Sequence, residues 1–312
     1  MPAVRPRPRL CHNGWRMGTA KSNAPHQPRR RVAIPALLAV VLFAAGAALL
    51  VWWSSSSPLG TLEHEETSEF SRIRIRRDGD IRALTFVRDN GQEAVQSRLR
   101  LTAPHRLVSA YARSMFASYL YQPQPRRVLI VGLGGGAMVR FLTHHDPQVQ
   151  IDAVEIDPVV VRLADQYFGV RTSGNVVVHT ADAFRFIETT SNRYDLILMD
   201  AFLRPSDATD TVGVPTRLKT LEFLGRLRQT LAPGGVVAFN INQHDSMADD
   251  VTAVATAFGH AVVYRCPPAA NKVVIATEGG LPAEDVVPAR VAALDARFGG
   301  ALSFSELLAN RE

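Results

Sequence analysis

Apolar positions along this chain follow two rhythms. From Thr67 to about Gln96 they recur at short range, first Phe70, Ile73 and Ile75, then Ile81, Leu84, Phe86 and Val87. Asp78-Gly79 and Asn90-Gly91 interrupt them, and such pairs are hairpin signals, so a small antiparallel sheet is expected. Leu107 to Leu120 has helical spacing. From Arg127 onward, short apolar runs alternate with stretches of 3.6-residue period. The runs predict strands at Val128–Val131, Ile151–Glu155, Val176–His179, Leu196–Met199, Val236–Asn240, Ala261–Tyr264 and Lys272–Ala276. Helices are expected at Ala137–His144, Val159–Phe168, Ala183–Thr189, Leu221–Leu231, Met247–Phe258 and Pro288–Phe298, with Pro288 in a first turn that has no use for its missing N–H. Strand–helix alternation of this kind predicts a doubly wound α/β sheet.

One further run is too long for either rhythm. Val32 to Trp53 is 22 residues without a charge, and a helix of that length spans about 33 Å, enough for a bilayer core. Trp52 and Trp53 suit one interface and Arg29 to Arg31 the other. A single-pass membrane helix is expected, touching lipid through residues 32–53. A cleaved signal peptide ending near Ala44-Ala45-Gly46-Ala47-Ala48, with Met17 as an alternative start, is the rival reading. The positive-inside rule puts the N-terminus in the cytoplasm, but leaves the side of the following domain in conflict with the chemistry below. The expected organisation is a disordered basic N-terminus at 1–31, the membrane helix at 32–53, a linker at 54–66, a small β domain plus helix at 67–120, and a Rossmann-like domain at 121–312.

Charge changes the picture once it is divided. The formal net charge is +6. Residues 1–31 hold eight of the basic residues and no acid, which leaves 27 basic against 29 acidic residues, a net −2, for the rest. The folded part lacks the footprint of a nucleic-acid binder. Cys11 and Cys266 lie on opposite sides of the apolar run, so neither a disulfide nor a metal site is expected from them. Arg72, Arg74, Arg76 and Arg77 read as a solvated strand face, or as a contact for acidic lipid. His144 and His145 read as exposed residues favoured by a helix C-terminus.

The candidate chemistry sits at the strand ends. Val128–Val131 runs into Gly132, Gly134, Gly135 and Gly136 and then a helix, a turn that lets a ligand approach the backbone closely. Glu155 ends the next strand, where a carboxylate can accept hydrogen bonds from ribose hydroxyls. Asp157 follows it. Asp182 and Ala183 come just after the third strand, where the acid can hydrogen-bond an adenine amino group or cap a helix. Asp200 ends the fourth strand, placed to stabilise a cationic substrate or to take its proton. In a doubly wound sheet these ends face one crevice.

The segments Val128 to Gly136, Val154-Glu155-Ile156-Asp157-Pro158, Ala181-Asp182-Ala183, Tyr194 to Phe202, Val214-Pro215 with Leu218 to Phe223, and Leu231-Ala232-Pro233-Gly234-Gly235 together resemble the spermidine synthase (polyamine aminopropyltransferase) family, in its membrane-anchored bacterial form. The resemblance implies a class I methyltransferase-like sheet preceded by a small β domain. It implies decarboxylated S-adenosylmethionine as co-substrate, with no metal, and a small-molecule amine as acceptor. The glycine loop and Glu155, Asp157, Asp182 and Ala183 would hold the nucleoside, and Asp200 would be catalytic. A homodimer is a further expectation. The pattern departs from the family at three places. The glycine loop lacks an aspartate, Leu203 and then Arg204 stand where a second acid would follow Asp200, and Tyr111-Ala112-Arg113 replaces a Tyr-His-Glu element.

Three readings of function follow. The first is an aminopropyltransferase-like enzyme. The second is a methyltransferase using S-adenosylmethionine, in which Arg204 would meet an acidic acceptor. The third is a non-catalytic nucleoside-binding membrane protein. Gly132-x-Gly134-x-x-Ala137 with Glu155 also fits a dinucleotide fingerprint, but Asp182 and Asp200 have no evident use in hydride transfer.

Overall fold

The computed structural model describes residues 59–203, 205–283 and 285–312. The basic N-terminus, the apolar run Val32–Trp53, Cys11 and Arg204 lie outside the described residues. Among the described residues, no helix is long and apolar enough to cross a membrane.

Four strands, β1 (Thr61–Thr67), β2 (Arg72–Asp78), β3 (Ile81–Val87) and β4 (Glu93–Arg100), pair in chain order as an antiparallel sheet. The two predicted turns join β2 to β3 and β3 to β4, with Gly79 and Gly91 at positive φ. Residues 61–66, read as linker, belong to β1, whose polar sequence gave no apolar rhythm to follow. Ile73, Ile75, Leu84, Phe86 and Leu99 form one face of this sheet and pack on Val160, Leu163 and Phe168 of helix α3 (Pro158–Phe168).

The opposite face corrects the reading for Arg74 and Arg76, while Arg72 and Arg77 are exposed as expected. Arg74 reaches Glu65 and Glu93 at 3.0 and 2.8 Å, and Arg76, itself 9% exposed, holds Glu93 at 2.6 Å. These side chains are consumed in a cross-strand ion-pair ladder, not offered to solvent or to lipid. Alternation shows that a face is polar; it does not show that acids on the neighbouring strands close it.

The second sheet has seven strands in the order β10-β11-β9-β8-β5-β6-β7. They are β5 (Arg127–Val131), β6 (Gln150–Glu155), β7 (Val176–Thr180), β8 (Tyr194–Met199), β9 (Leu231–Ile241), β10 (His260–Arg265) and β11 (Lys272–Thr277). The first five run parallel to their neighbours, and β11 pairs antiparallel with both β9 and β10. The order reverses between β5 and β8, which is the switch point where such sheets bind ligands. Alternate residues serve opposite cores. Val128, Ile130, Leu196 and Leu198 face one layer, while Leu129, Val131, Ile197 and Met199 face the other.

The helices of this domain are α2 (Ala137–His145), α3, α4 (Ala183–Thr189), α5 (Leu221–Gln229), α6 (Met247–Phe258), α7 (Val286–Arg297) and α8 (Phe304–Ala309). Before them, α1 (Ala110–Met115) continues into a 3-10 turn, Phe116–Leu120, within the segment read as one helix. The predicted helix Leu221–Leu231 ends at Gln229, because Leu231 already pairs with Tyr194 as the start of β9. Pro233-Gly234-Gly235 is a bulge within that strand: pairing jumps from Tyr194–Leu231 to Leu196–Val236.

Candidate active site

The glycine elbow follows β5 directly. Gly132 has φ 92°, and a Cβ there would stand 2.2 Å from the Asp200 carbonyl oxygen, so only glycine lets the two strand ends touch. Gly136, at φ 67°, caps α2, where a Cβ would run into Val170. Gly132, Gly134 and Gly136 line a small cavity; Gly135 instead packs towards Phe168 and Ser97. Gly132 N–H donates to Val154 O and Asp200 N–H to Val131 O, both at 2.8 Å. These bonds carry the parallel ladder to its last residue and set Glu155 and Asp200 at the same edge.

Glu155 is buried, and its oxygens accept N–H bonds from Leu133 (2.9 Å) and Asp157 (3.1 Å). Burial raises its pKa, against the pull of those amides. It therefore fixes the elbow from below while its remaining lone pairs face the hollow. Asp200 is nearly enclosed. Its Oδ1 accepts from Asn240 Nδ2 at 2.7 Å, and the Tyr111 hydroxyl, which donates to the Gln96 carbonyl at 3.3 Å, stands close enough to its carboxylate to lower the pKa. Burial pushes the carboxyl up to about 7. Asn240 and Tyr111 oppose that rise, and the Glu155 charge adds to it.

Two cavities meet here. The small one, about 40 Å³, is lined by Asp200, Tyr111, Gln96, Ser97, Phe202 and the elbow. The large one, about 460 Å³, is bounded by Ile156, Asp182, Ala183, Leu203, Arg217 and Phe70 among others. Gly132, Glu155 and Phe202 belong to both. The larger is within the usual size of small-molecule sites, about 300–1,000 Å³.

One expected residue is placed otherwise. Asp157 does not line either cavity. Its Oδ1 caps α3 by accepting from Val159 N–H at 2.9 Å, and its Oδ2 accepts from Ser68 Oγ at 2.5 Å. It joins the small sheet to α3, and the Asp-Pro pair that opens a helix was the available signal. Asp182 does face the large cavity, but as a helix cap too: Oδ1 accepts from Phe184 N–H at 3.0 Å, and Oδ2 is held by Arg217 at 2.5 Å. The Arg217 guanidinium also lies 5.7 Å above the Phe184 ring.

Asn240 was missed as a site residue, although it lies next to the last residue of β9, as Asp200 lies just past the last residue of β8, and the same strand-end rule points to it. Gln96, Ser97 and Phe70 come from the small sheet, and no local pattern directs them to the elbow. In the segment Tyr111-Ala112-Arg113, Tyr111 and Ala112 line the small cavity, whereas Arg113 donates to the Leu107 and Val108 carbonyls at 3.2 and 2.9 Å.

This geometry coincides with sequence relationship. Residues 112–281 match the spermine/spermidine synthase domain. A polyamine aminopropyltransferase of Vibrio vulnificus is 32% identical over 239 residues, which cover 75% of this chain and 78% of that protein. The chain belongs to the spermine/spermidine synthase family. A probable spermidine synthase from Corynebacterium glutamicum shares the fold, with a TM-score of 0.60 at 20% identity over 79% of this chain and 96% of that one. The human eEF1A lysine and N-terminal methyltransferase is 35% identical over 140 residues, 41% of this chain but 19% of that protein. In this spermidine synthase-family chain, the strand order, the elbow and Asp200 thus occur together, with Leu203 on the wall of the large cavity.

Proposed function

We propose that this chain transfers an aminopropyl group from a sulfonium nucleoside, decarboxylated S-adenosylmethionine, to a small amine. The observation that carries this reading is Asp200, a titratable carboxylate on the wall of the small cavity beside the Gly132 and Glu155 edge that it shares with the large one, in a chain of this family. Glu155 receives the ribose hydroxyls, and the Asp182–Ala183 wall receives the adenine, with Arg217 over it. The amine must be neutral to attack. Its nitrogen lone pair forms a bond to the aminopropyl carbon, the carbon–sulfur bond breaks, and that electron pair stays on sulfur, leaving neutral methylthioadenosine. The proton shed by the nitrogen passes to Asp200, whose pKa near 7 suits a base at neutral pH. The sulfonium charge beside Glu155 and Asp200 favours their ionised forms, so nucleoside binding readies the base. Holding both reactants in place supplies much of the remaining acceleration.

The test is incubation with decarboxylated S-adenosylmethionine and a panel of mono- and diamines. Methylthioadenosine and an aminopropylated amine are expected in equal amounts; no methylthioadenosine with any amine overturns the reading. Methyl transfer from S-adenosylmethionine is the second reading, favoured by the methyltransferase relative and by apolar Leu203. Calorimetry with both nucleosides separates the two, since preference for the carboxylate-bearing form selects methyl transfer. A nucleoside-binding protein without catalysis would show neither product. We also retain the membrane anchor at residues 32–53, supported by its uncharged length and basic flank; a reporter fused after Glu312 identifies the side on which the domain lies.

A further inference from the structure

Three imidazoles converge away from Asp200. His105 lies in the connection between β4 and α1, and His144 and His145 end α2. The His105 and His144 rings stack at 3.7 Å between centroids with 12° between planes. His145 stands steeply to both, 4.6 Å from His144 and 5.6 Å from His105. One ring nitrogen from each lies within 4.8 Å of the other two.

Three features distinguish this cluster from chance crowding. First, none of the rings has a hydrogen-bond or ion-pair partner among the described residues. His145 Nε2 is buried and unpartnered, a state shared only with Ser71 Oγ among the described side chains. A buried ring nitrogen without a partner is costly. Second, His105 and His145 favour the neutral form that ligates metals. Burial lowers the pKa of both His105 and His145, and the His144 charge lowers it further. Third, the cluster stands at a helix C-terminus. The rings stand at the negative end of the α2 dipole. Asp146, the next residue along the chain, is committed to the Tyr119 hydroxyl at 2.9 Å and to Arg297 at 2.7 Å. Phe141 and Phe298 back His145 at 4.5 and 6.3 Å.

We propose that His105, His144 and His145 form a binding site for a divalent d-block ion such as zinc, with Nε2 as the ligand atom of His145 and water completing the shell. Imidazole is the ligand suited to zinc, copper and nickel. A tetrahedral zinc with Zn–N near 2.05 Å separates its nitrogens by about 3.4 Å, so binding requires the stacked His105 and His144 rings to turn their nitrogens inward and close the present spacing of up to 4.8 Å. The bound ion would tie the connection that leads into Tyr111 to the helix that begins at Gly136. This site is independent of the aminopropyl reading.

The experiment uses the tag-free full chain, stripped with chelator, with Zn²⁺ titrated against a chromophoric chelator and Co²⁺ added for its visible spectrum. The expected result is one ion per chain at this site and a Co²⁺ ligand-field band. His144→Ala, at an exposed position, and His105→Ala should each weaken binding by at least about tenfold, with circular dichroism unchanged. His244→Ala, which alters the separate grouping of His244 with Asp210 and Asp250, should leave the ion in place. Equal Zn²⁺ affinity and stoichiometry in wild type and in the His105→Ala/His144→Ala double variant, or loss of the ion only in His244→Ala, would overturn the proposal.

Discussion

Glu93 and Asp200 are both carboxylates withdrawn from water, and their environments drive them apart. Glu93 lies in the small sheet, where burial pushes its pKa up, but hydrogen bonds from Arg76, Arg74 and Thr85 outweigh that and hold it at about 2. Asp200 lies at the switch point of the large sheet. Its polar neighbours, Asn240 and Tyr111, are neutral, burial prevails, and its pKa rises to about 7. The distinction is whether a guanidinium stands beside the acid. With one, the acid is a fixed charge that joins strands. Without one, it is a proton acceptor poised where a sulfonium and an amine would meet. Buried charge is thus used for architecture in one sheet and reserved for chemistry in the other.

The largest expected effect removes the poised acid. Asp200→Asn should lower kcat/KM by about 10²–10⁴, the usual worth of a positioned base. In the wild type, kcat/KM should fall as the pH drops below about 7, where Asp200 becomes protonated. Stability should move the other way. A carboxyl raised in the folded state stabilises fully below its ordinary pKa of 3.8, and that contribution is lost as the pH rises through about 7. The variant should therefore be no less stable than wild type at pH 8 by urea denaturation. Activity within tenfold of wild type would end the assignment of Asp200 as the base.

The second effect belongs to the fixed charge. Glu93→Gln leaves Arg76 and Arg74 without their shared acid, and breaking a buried pair on one side costs about 3–5 kcal/mol. Because the Glu93 pKa is depressed, its stabilisation is present above 4.5 and is lost as the pH falls towards about 2. Urea denaturation at pH 7 should show the loss, and at pH 2 the two proteins should converge. The folded fraction should keep its kcat. An unchanged midpoint at pH 7 would mean that the arginine ladder is decoration, and the contrast with Asp200 would fail.

Sequence reading reached one half of this contrast and missed the other. Strands β5, β6, β8 and the later part of β9 were legible because parallel strands buried on both faces leave continuous apolar runs. Glu155 and Asp200 were legible because each run stops at an acid. What escaped depends on chain segments meeting in space. Arg74 and Arg76 looked solvated because Glu65 and Glu93 lie on other strands, and only register brings them opposite. Asp157 sat in a motif shared with nucleoside sites, yet Ser68, far away along the chain, turns it into a latch. His144 and His145 were visible as a pair; His105 joins them only when the β4–α1 connection folds against α2.

The smallest effect tests what separates Asp200 from an ordinary buried acid. The Tyr111 hydroxyl donates to the Gln96 carbonyl at 3.3 Å and stands close enough to the Asp200 carboxylate to lower its pKa. Tyr111→Phe keeps the ring on the wall of the small cavity and deletes only the oxygen. A polar group that stabilises the charged form holds a pKa down, so its loss should carry Asp200 above 7 and move the acid limb of kcat/KM in the same direction. At neutral pH the base would then be ionised less often, and kcat/KM should fall by up to about tenfold, the worth of one hydrogen bond to a charged group. Raising the pH by one or two units should restore most of that loss, because the ionised fraction recovers while the geometry is intact. A loss that persists at high pH would show that Tyr111 positions the amine rather than tuning the acid. In that case Asn240 alone would separate the carboxylate of this site from one buried without any donor.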